Sequence, residues 1–324
     1  MHRLSGKNAK GSLARAALCL AVCIFGLGLY AFATARPKTN HQPADGAAKQ
    51  INGEYRFFSF DPPGSVGTFP FGINDQGLIA GQYTDADGVT HGFALEDGKY
   101  TVIDVPGAPC TLSSGPDMEG RIALGYCDSS DNIHPAVYFK GQFTYLPDAP
   151  GQSSTSPSAI NARGEIAGTT WNGDFTIVHS YLWDGKSYEI FDDPATDIPF
   201  TLALGMNNQG QVVGQYNTSN GVIHGFLMYR GKYAEIAFPG APNTAAIGIN
   251  DSDVIVGLHG PAGAGPFGFA VGGEGFVLWK GTYWNLDYPN AQTSFSIGIN
   301  DRGQIVGVYQ DGAGNFHGYL ATPK

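Results

Sequence analysis

Residues 72–107 read GINDQGLIAGQYTDADGVTHGFALEDGKYTVIDVPG, and close copies of this stretch recur down the chain. GMNNQGQVVG begins at Gly205, GINDSDVIVG at Gly248 and GINDRGQIVG at Gly298. Residues 159–168, AINARGEIAG, form a looser copy, and residues 115–123, GPDMEGRIA, one looser still. The six anchor positions, Asn74, Asp117, Asn161, Asn207, Asn250 and Asn300, are spaced by roughly 43 to 50 residues, the period of propeller blades rather than of shorter solenoid repeats.

Each copy reads as four strands. Strand a ends at Gly-Ile-Asn. The Asn-Asp-x-Gly segment is a tight turn, with Asn at its start and Gly supplying a positive φ. Strand b covers 78–83. A turn at 85–88 leads to strand c at 91–95, and Asp97-Gly98 turns into strand d at 100–105. Small residues such as Ala80 with Gly81 and Val213 with Gly214 are expected to let neighbouring sheets approach near an axis. Residues 52–64, NGEYRFFSFDPPG, match the last quarter of a repeat with nothing before them, whereas the sixth copy stops at Pro323 before its own last quarter. The expectation is an all-β, six-bladed β-propeller of four-stranded blades. The N-terminal strand, about 52–64, joins the last repeat and removes the sheet edges of an open array.

Composition agrees with many short strands and tight turns: Gly is 47 of 324 residues, and charged residues are only 14%. The formal charge is −10; outside residues 1–35, which hold four basic residues and no acidic one, 14 basic residues face 28 acidic ones. Such an acidic body excludes nucleic acid, which needs clustered Lys and Arg, and argues against docking on anionic lipid. Residues 1–15 are polar and basic, residues 16–35 are almost wholly apolar, and A-x-A sites end at Ala33 or Ala35. We read 1–35 as a signal peptide or, since the apolar run is long enough to span a bilayer, an N-terminal membrane anchor. Residues 36–51 read as a linker and 52–324 as the exported domain, periplasmic or extracellular, either free or anchored to the inner membrane by residues 16–35. The membrane is a partner only in the uncleaved case.

The Gly-Ile-Asn-Asp-x-Gly-x-Ile-x-Gly unit followed by His-Gly-Phe resembles the HAF repeat of bacterial proteins described as probable extracellular repeat proteins. The triplet stands as His91-Gly92-Phe93, His224-Gly225-Phe226 and His317-Gly318-Tyr319, with weaker versions at His134 and His179 and a departure, Glu274-Gly275-Phe276, in the fifth copy. The resemblance covers about residues 52–323. It implies export and a propeller-like fold, and carries no activity onto any residue.

Several residue types invite a chemical reading. The repeated histidines, His91, His224 and His317 foremost, form either a ring of ligand-binding imidazoles or one structural bond per repeat. Equivalent positions in six blades lie too far apart to share one zinc. Asp75, Asp251 and Asp301 fall where an Asx turn needs them. Asp85-x-Asp87-Gly88 opens like a calcium loop but lacks the later carboxylates. Cys110 and Cys127 fall at the start of strand a and the end of strand b of the second copy, so they are expected to be bonded in an oxidising compartment. Residues 258–270 lengthen one loop of the fifth copy, and because asymmetry in a ring is a place for function, His259, Phe267 and Phe269 are ligand-binding candidates. Trp171, Trp183, Trp279 and Trp284 either stack on sugars or pack between blades. No catalytic set, metal-ligand spacing or cofactor signature stands out. Two functions follow from different classes. One is a monomeric binding or scaffold module for a protein, glycan or cell-wall polymer. The other is an exported carbohydrate-active enzyme with carboxylates at a channel mouth, for which Asp148 and Asp197 are undistinguished candidates.

Overall fold

The computed structural model describes residues 54–173, 175–261 and 273–324. The expected signal, the linker and the candidates Phe267 and Phe269 lie outside them. The described residues form strands and turns without a helix, so none of their elements is a helix long and apolar enough to cross a membrane. β1 is Tyr55–Phe60. Sheet one is β2 (Ser65–Ile73), β3 (Ile79–Asp85), β4 (Thr90–Glu96) and β5 (Lys99–Ile103). Sheet two is β6 (Thr111–Pro116), β7 (Ile122–Cys127), β8 (Ile133–Phe139) and β9 (Gln142–Tyr145). Sheet three is β10 (Ser154–Ile160), β11 (Ile166–Trp171), β12 (Val178–Trp183) and β13 (Tyr188–Phe191). Sheet four is β14 (Thr201–Met206), β15 (Val212–Asn217), β16 (Ile223–Tyr229) and β17 (Lys232–Ile236). Sheet five is β18 (Asn243–Ile249), β19 (Ile255–Gly260), β20 (Glu274–Trp279) and β21 (Thr282–Asn285). β22 (Thr293–Ile299), β23 (Ile305–Gln310) and β24 (Phe316–Pro323) supply only three strands of sheet six.

The fourth comes from the start of the domain. β1 pairs antiparallel with β24 from Tyr55↔Pro323 to Phe60↔Gly318. Each sheet is thus an antiparallel a-b-c-d meander, and one parallel bridge, Gly67↔Phe316, joins sheets one and six.

The glycine of strand b and the aromatic of His-Gly-Phe are two halves of one packing rule. They face each other across the strands: Gly81↔Phe93, Gly168↔Tyr181, Gly214↔Phe226, Gly257↔Phe276 and Gly307↔Tyr319. All five rings are essentially fully buried. A Cβ at Gly214 would meet the Phe226 ring at 2.7 Å and the Leu202 carbonyl oxygen at 2.0 Å, so the missing side chain makes room for the ring. Burying such a ring stabilises the fold by about 2–3 kcal/mol. In sheet two the volumes are exchanged, with Leu124 opposite Ala136. The b-strand glycines therefore serve their own sheet. Of the pairs expected to let sheets approach, Ala80 and Val213 do pack on the next sheet, with Ile122 and Leu124 and with Ala246 and Ile255, while the closest backbone approach is made by the glycine of Gly-Ile-Asn. A Cβ at Gly72 would stand 2.6 Å from the Gly115 Cα, and one at Gly298 would stand 2.7 Å from the Gly72 Cα.

The Asn of the same motif holds the sheets together. Asn74 Oδ1 accepts the backbone N–H groups of Gln76 and Leu78, fixing the a–b turn, while its Nδ2 donates to the Asp117 carbonyl of sheet two at 2.9 Å. Asn207 donates to the Asn250 carbonyl, Asn250 to Asn300 and Asn300 to Asn74, at 3.1, 3.0 and 3.0 Å. Asn161 reaches the Asn207 carbonyl at 3.5 Å. Asp117 has no donor to give. Its carboxylate still accepts the turn amides of Glu119 and Arg121, and it grips the Arg121 side chain, whose Nη2 donates to the Ala162 carbonyl of sheet three at 2.8 Å. Asp117 with Arg121 thus does the work of one asparagine. Six links run from sheet to sheet and return from the sixth to the first.

Cys110 and Cys127 are disulfide-bonded, with Cα atoms 5.2 Å apart, across the mouth of the β6–β7 hairpin. Closing this loop contributes roughly 3 kcal/mol by the loop-entropy account.

Removing one amide of the ring strands both the turn donors and a buried carbonyl. Asn300→Ala is expected to destabilise the domain by about 2–4 kcal/mol in urea unfolding, against less than about 0.5 kcal/mol for a surface change such as Lys99→Ala.

Candidate functional site

The a–b turns of the sheets meet around one small cavity. Asn74, Asp75, Asp117, Asn208, Asp251 and Asp301 are among the residues that line it. Strand a is therefore the innermost strand. The Asx turns are made by the asparagines, and the aspartates after them do something else. Asp75 Oδ1 accepts the Asp301 N–H at 2.9 Å, Asp301 Oδ1 accepts the Asp251 N–H at 2.8 Å, and Asp251 Oδ1 accepts the Asn208 N–H at 2.8 Å. These carboxylates are thus a second set of inter-sheet links. Burial raises Asp301 above the usual carboxylate value, and the neighbouring Asp251 and Asp75 charges add to it. The cavity here is only about 80 Å³, and the apolar stretch deeper in, lined by Phe71, Ser158, Leu204, Ile247 and Ile297 where strand a bulges, holds about 90 Å³. Small-molecule sites run from about 300 Å³ upward, so neither space takes a sugar ring. Toward the opposite end, a cluster of Leu112, Cys127, Ile133, Trp171, Val178 and Phe200 packs between sheets two, three and four. Trp171 stacks on Phe175 there, so it is a packing residue.

The repeated histidines are each satisfied within their own sheet. His91 Nδ1 lies 2.9 Å from Asp104 Oδ2 and Nε2 lies 3.2 Å from Asp85 Oδ2. His134 sits between Asp148 and Asp128 in the same way, and His317 between Asp61 and Asp311. His179 bonds Asp192 and His224 bonds Glu235, each through Nδ1 at 2.8 Å. The strand-b tyrosines Tyr83, Tyr216 and Tyr309 stack on His91, His224 and His317. His91, His134 and His317 staple the end of the d strand to the b–c turn, His179 and His224 hold the d-strand side alone, and the structure does not bring the imidazoles together. Among the described residues no group of three or more His, Cys, Asp or Glu is placed to hold a metal ion. Asp85 Oδ1 takes the Asp87 and Val89 amides, which makes the calcium-like opening an Asx turn.

Sheet five exchanges the two positions. His259 occupies the tyrosine place on strand b, opposite Glu274 in the histidine place on strand c. His259 is buried, stacks on Phe238 with ring centroids 3.5 Å apart and bonds Asn285 at 3.0 Å. Burial pushes its pKa down. Its role in the described structure is packing, and the loop that made it a candidate lies outside the described residues.

A larger space, of whose lining the sequence singled out only Trp183, opens between sheets three and four at the a–b and c–d turn end. This groove holds about 550 Å³. Leu182, Trp183, Phe191, Met206 and Met228 form its apolar lining, Tyr229 and Tyr233 stand beside it, and Arg163, Glu165, Asp184, Ser187, Glu189 and Arg230 edge it. It lies at the longest joint of the asparagine ring, the 3.5 Å reach of Asn161. The amide there is shared with Glu165 Oε2 at 2.8 Å. The signal in the sequence was the departure of this joint from the repeat: Met206 for the motif isoleucine, Asn208 for the motif aspartate, and a charged pair at Arg163 and Glu165.

Among solved structures, the chain is similar to the gluconolactonase XC5397 from Xanthomonas campestris, at 15% identity over 89% of this chain and 99% of that one, with a TM-score of 0.50. It is similar to AofleA from Arthrobotrys oligospora, at 13% identity over 82% and 86% of the two chains and a TM-score of 0.52. It is also similar to the SapL1 lectin in complex with alpha methyl fucoside, at 10% identity over 79% and 93% and a TM-score of 0.52. At these identities the likeness is one of fold alone, and the fold is that of six-bladed β-propellers. No protein-family model and no curated protein matches the chain.

The histidine staples make stability depend on pH. Burial works against charging His91, His134 and His317, but the flanking carboxylates outweigh it and hold all three above the usual 6.5. Their contribution is complete below pH 6.5 and is lost as pH rises through the elevated values. Asp85 is held below the usual 3.8, first by the Val89 amide, and Asp311 at about 2 by the Asn315 amide. Asp128 is also held low, Asn132 and His134 outweighing its burial; the contribution of these three is lost as pH falls through their lowered values. The melting temperature is expected to be highest between about pH 4 and 6.5 and to fall above it. In a His91→Gln, His134→Gln, His317→Gln variant the fall above pH 6.5 should flatten.

Proposed function

We propose that this domain is an exported glycan-binding module, a closed six-bladed β-propeller of the HAF-repeat type whose ligand seats in the groove between sheets three and four. The observation that carries the reading is that groove. Its volume, about 550 Å³, is within the range of small-molecule sites, and it combines an aromatic and apolar lining with a rim of charged and hydroxyl groups. Sugars need both: ring faces that cover C–H bonds, and polar side chains that read hydroxyls. The lectin among the structural neighbours lends the reading an analogy of fold. Closure is supported by β1 pairing with β24 and by the Asn300-to-Asn74 bond, and export by the basic, then apolar, N-terminal sequence and by the Cys110–Cys127 disulfide.

The enzyme alternative needs carboxylates that converge at a channel mouth, but its candidates are engaged within the protein, Asp148 by His134 and Asp197 by the backbone N–H and hydroxyl of Ser219. At the a–b turn end, Asp75, Asp251 and Asp301 have only about 80 Å³ beside them, which leaves no room for a pyranose. Each of them is also engaged by a backbone N–H or faces its neighbour's charge.

A carbohydrate array probed with the purified domain, followed by titration of the best binder, tests this. Tyr229→Ala is expected to weaken binding at least about tenfold, consistent with loss of one stacking face, while Asp301→Asn changes it less than about twofold. Loss of binding in the Asp301 variant with a normal melting curve would move the site to the channel mouth and overturn the groove assignment.

A further inference from the structure

We infer that the groove between sheets three and four recognises a sugar through an acetamido substituent, an assignment that rests on the glycan reading above. Most of the rim charge is already spent inside the protein. Arg163 donates to Glu165 and to the Asn208 carbonyl. Glu165 also accepts the Asn161 amide, and Asp184 accepts the backbone N–H groups of Lys186 and Ser187. Two charged groups of the lining are left over. Glu189, on β13 of sheet three, and Arg230, in the turn after β16 of sheet four, enter no ion pair or side-chain hydrogen bond among the described residues. The Arg230 guanidinium rests over the Tyr229 ring, 4.9 Å from its centroid.

These leftovers are complementary in kind. An ionised Glu189 only accepts, and Arg230 only donates. They belong to opposite walls. On the sheet-four wall the lining includes two thioethers, Met206 of β14 and Met228 of β16, of only four methionines in the chain. Neither is what the repeat puts there, since Met206 stands where the other copies keep isoleucine or Pro116. Thioethers adapt to a small apolar group. One acceptor, one donor and an apolar bed match the N–H, the C=O and the methyl of an acetamido group. A plain hexose brings only hydroxyls and leaves the thioether bed unused. A free amino sugar would pair with Glu189 but set a cation against Arg230. A uronate would pair with Arg230 but set an anion against Glu189.

The test titrates the full exported domain calorimetrically with three probes: the β-linked tetramer of N-acetylglucosamine, the same tetramer de-N-acetylated, and the tetramer of glucose. The acetylated tetramer is expected to bind about tenfold or more tighter than either of the others, the discrimination that a seated methyl and a paired amide supply. Glu189→Gln and Arg230→Gln should each weaken it at least about fivefold, and Met228→Ser should bring the preference over the glucose tetramer down to about twofold. Melting curves for each variant separate loss of the site from loss of the fold. Equal binding of the glucose tetramer overturns the acetamido assignment and leaves the glycan reading standing. Tight binding of the acetylated tetramer that survives both Glu189→Gln and Arg230→Gln overturns the groove as its seat. Failure of all three probes and of a broad carbohydrate array, with the domain folded, overturns both.

Discussion

One side-chain link per sheet, an asparagine amide in five sheets and the Asp117–Arg121 pair in sheet two, holds this protein together. The asparagine after strand a fixes its own turn with its carbonyl oxygen and lends its NH₂ to the next sheet, and the sixth sheet lends to the first. Because the amides are buried, each link is costly to lose: the donor and the acceptor would both be stranded away from water. The glycine two residues earlier is the other half of the constraint. It lets the backbones of adjacent strands come close enough for the amide to reach. A flat array of six four-stranded sheets would leave an unpaired strand edge at each end, and the pairing of β1 with β24 answers one of them.

The same links set where the structure is too tight for a ligand and where it leaves a groove of ligand size. Strands drawn together by short links leave a space too narrow for a ligand, and the aspartates at its mouth are occupied as acceptors for the neighbouring turns. The groove lies beside the longest of these links, between Asn161 and Asn207. A departure of a few tenths of an ångström between the a–b turns is set beside a change of composition farther out, with methionines at 206 and 228 where some other copies keep isoleucine and leucine. The histidines have the opposite character. They are conspicuous in the sequence because they repeat, and each is bonded within its own sheet, with Glu274 in the corresponding place of sheet five.

Much of the fold was legible because repetition exposes geometry. The Asn-Asp-x-Gly turns, the four-strand rhythm and the borrowed strand at residues 55–60 follow from motif spacing, and so does the disulfide, since Cys110 and Cys127 mark the two ends of one hairpin. Other parts were not legible. Whether Gly81 serves its own sheet or the next depends on which way Phe93 leans, which periodicity does not state. The aspartates after the asparagines looked like turn residues because their partners are about 43 to 50 residues away, or 226 across the junction of the ring. His259 drew notice as an asymmetric residue, but Phe238, from the connection after β17, and Asn285, from β21, enclose it. The groove was hidden for the same reason: its lining is drawn from two sheets, and no single repeat contains it. Sequence repetition reports what each sheet does alone, and the site belongs to a joint between two.

The most direct measurement is hydrogen–deuterium exchange, peptide by peptide, on the domain with and without residues 54–64. If the sheets share one ring, removing β1 lowers protection everywhere, including β11 and β12 of sheet three, which β1 does not pair with. Loss of protection confined to β22–β24 and to sheet one, with sheet three unchanged, would contradict the account and describe six sheets that stand independently.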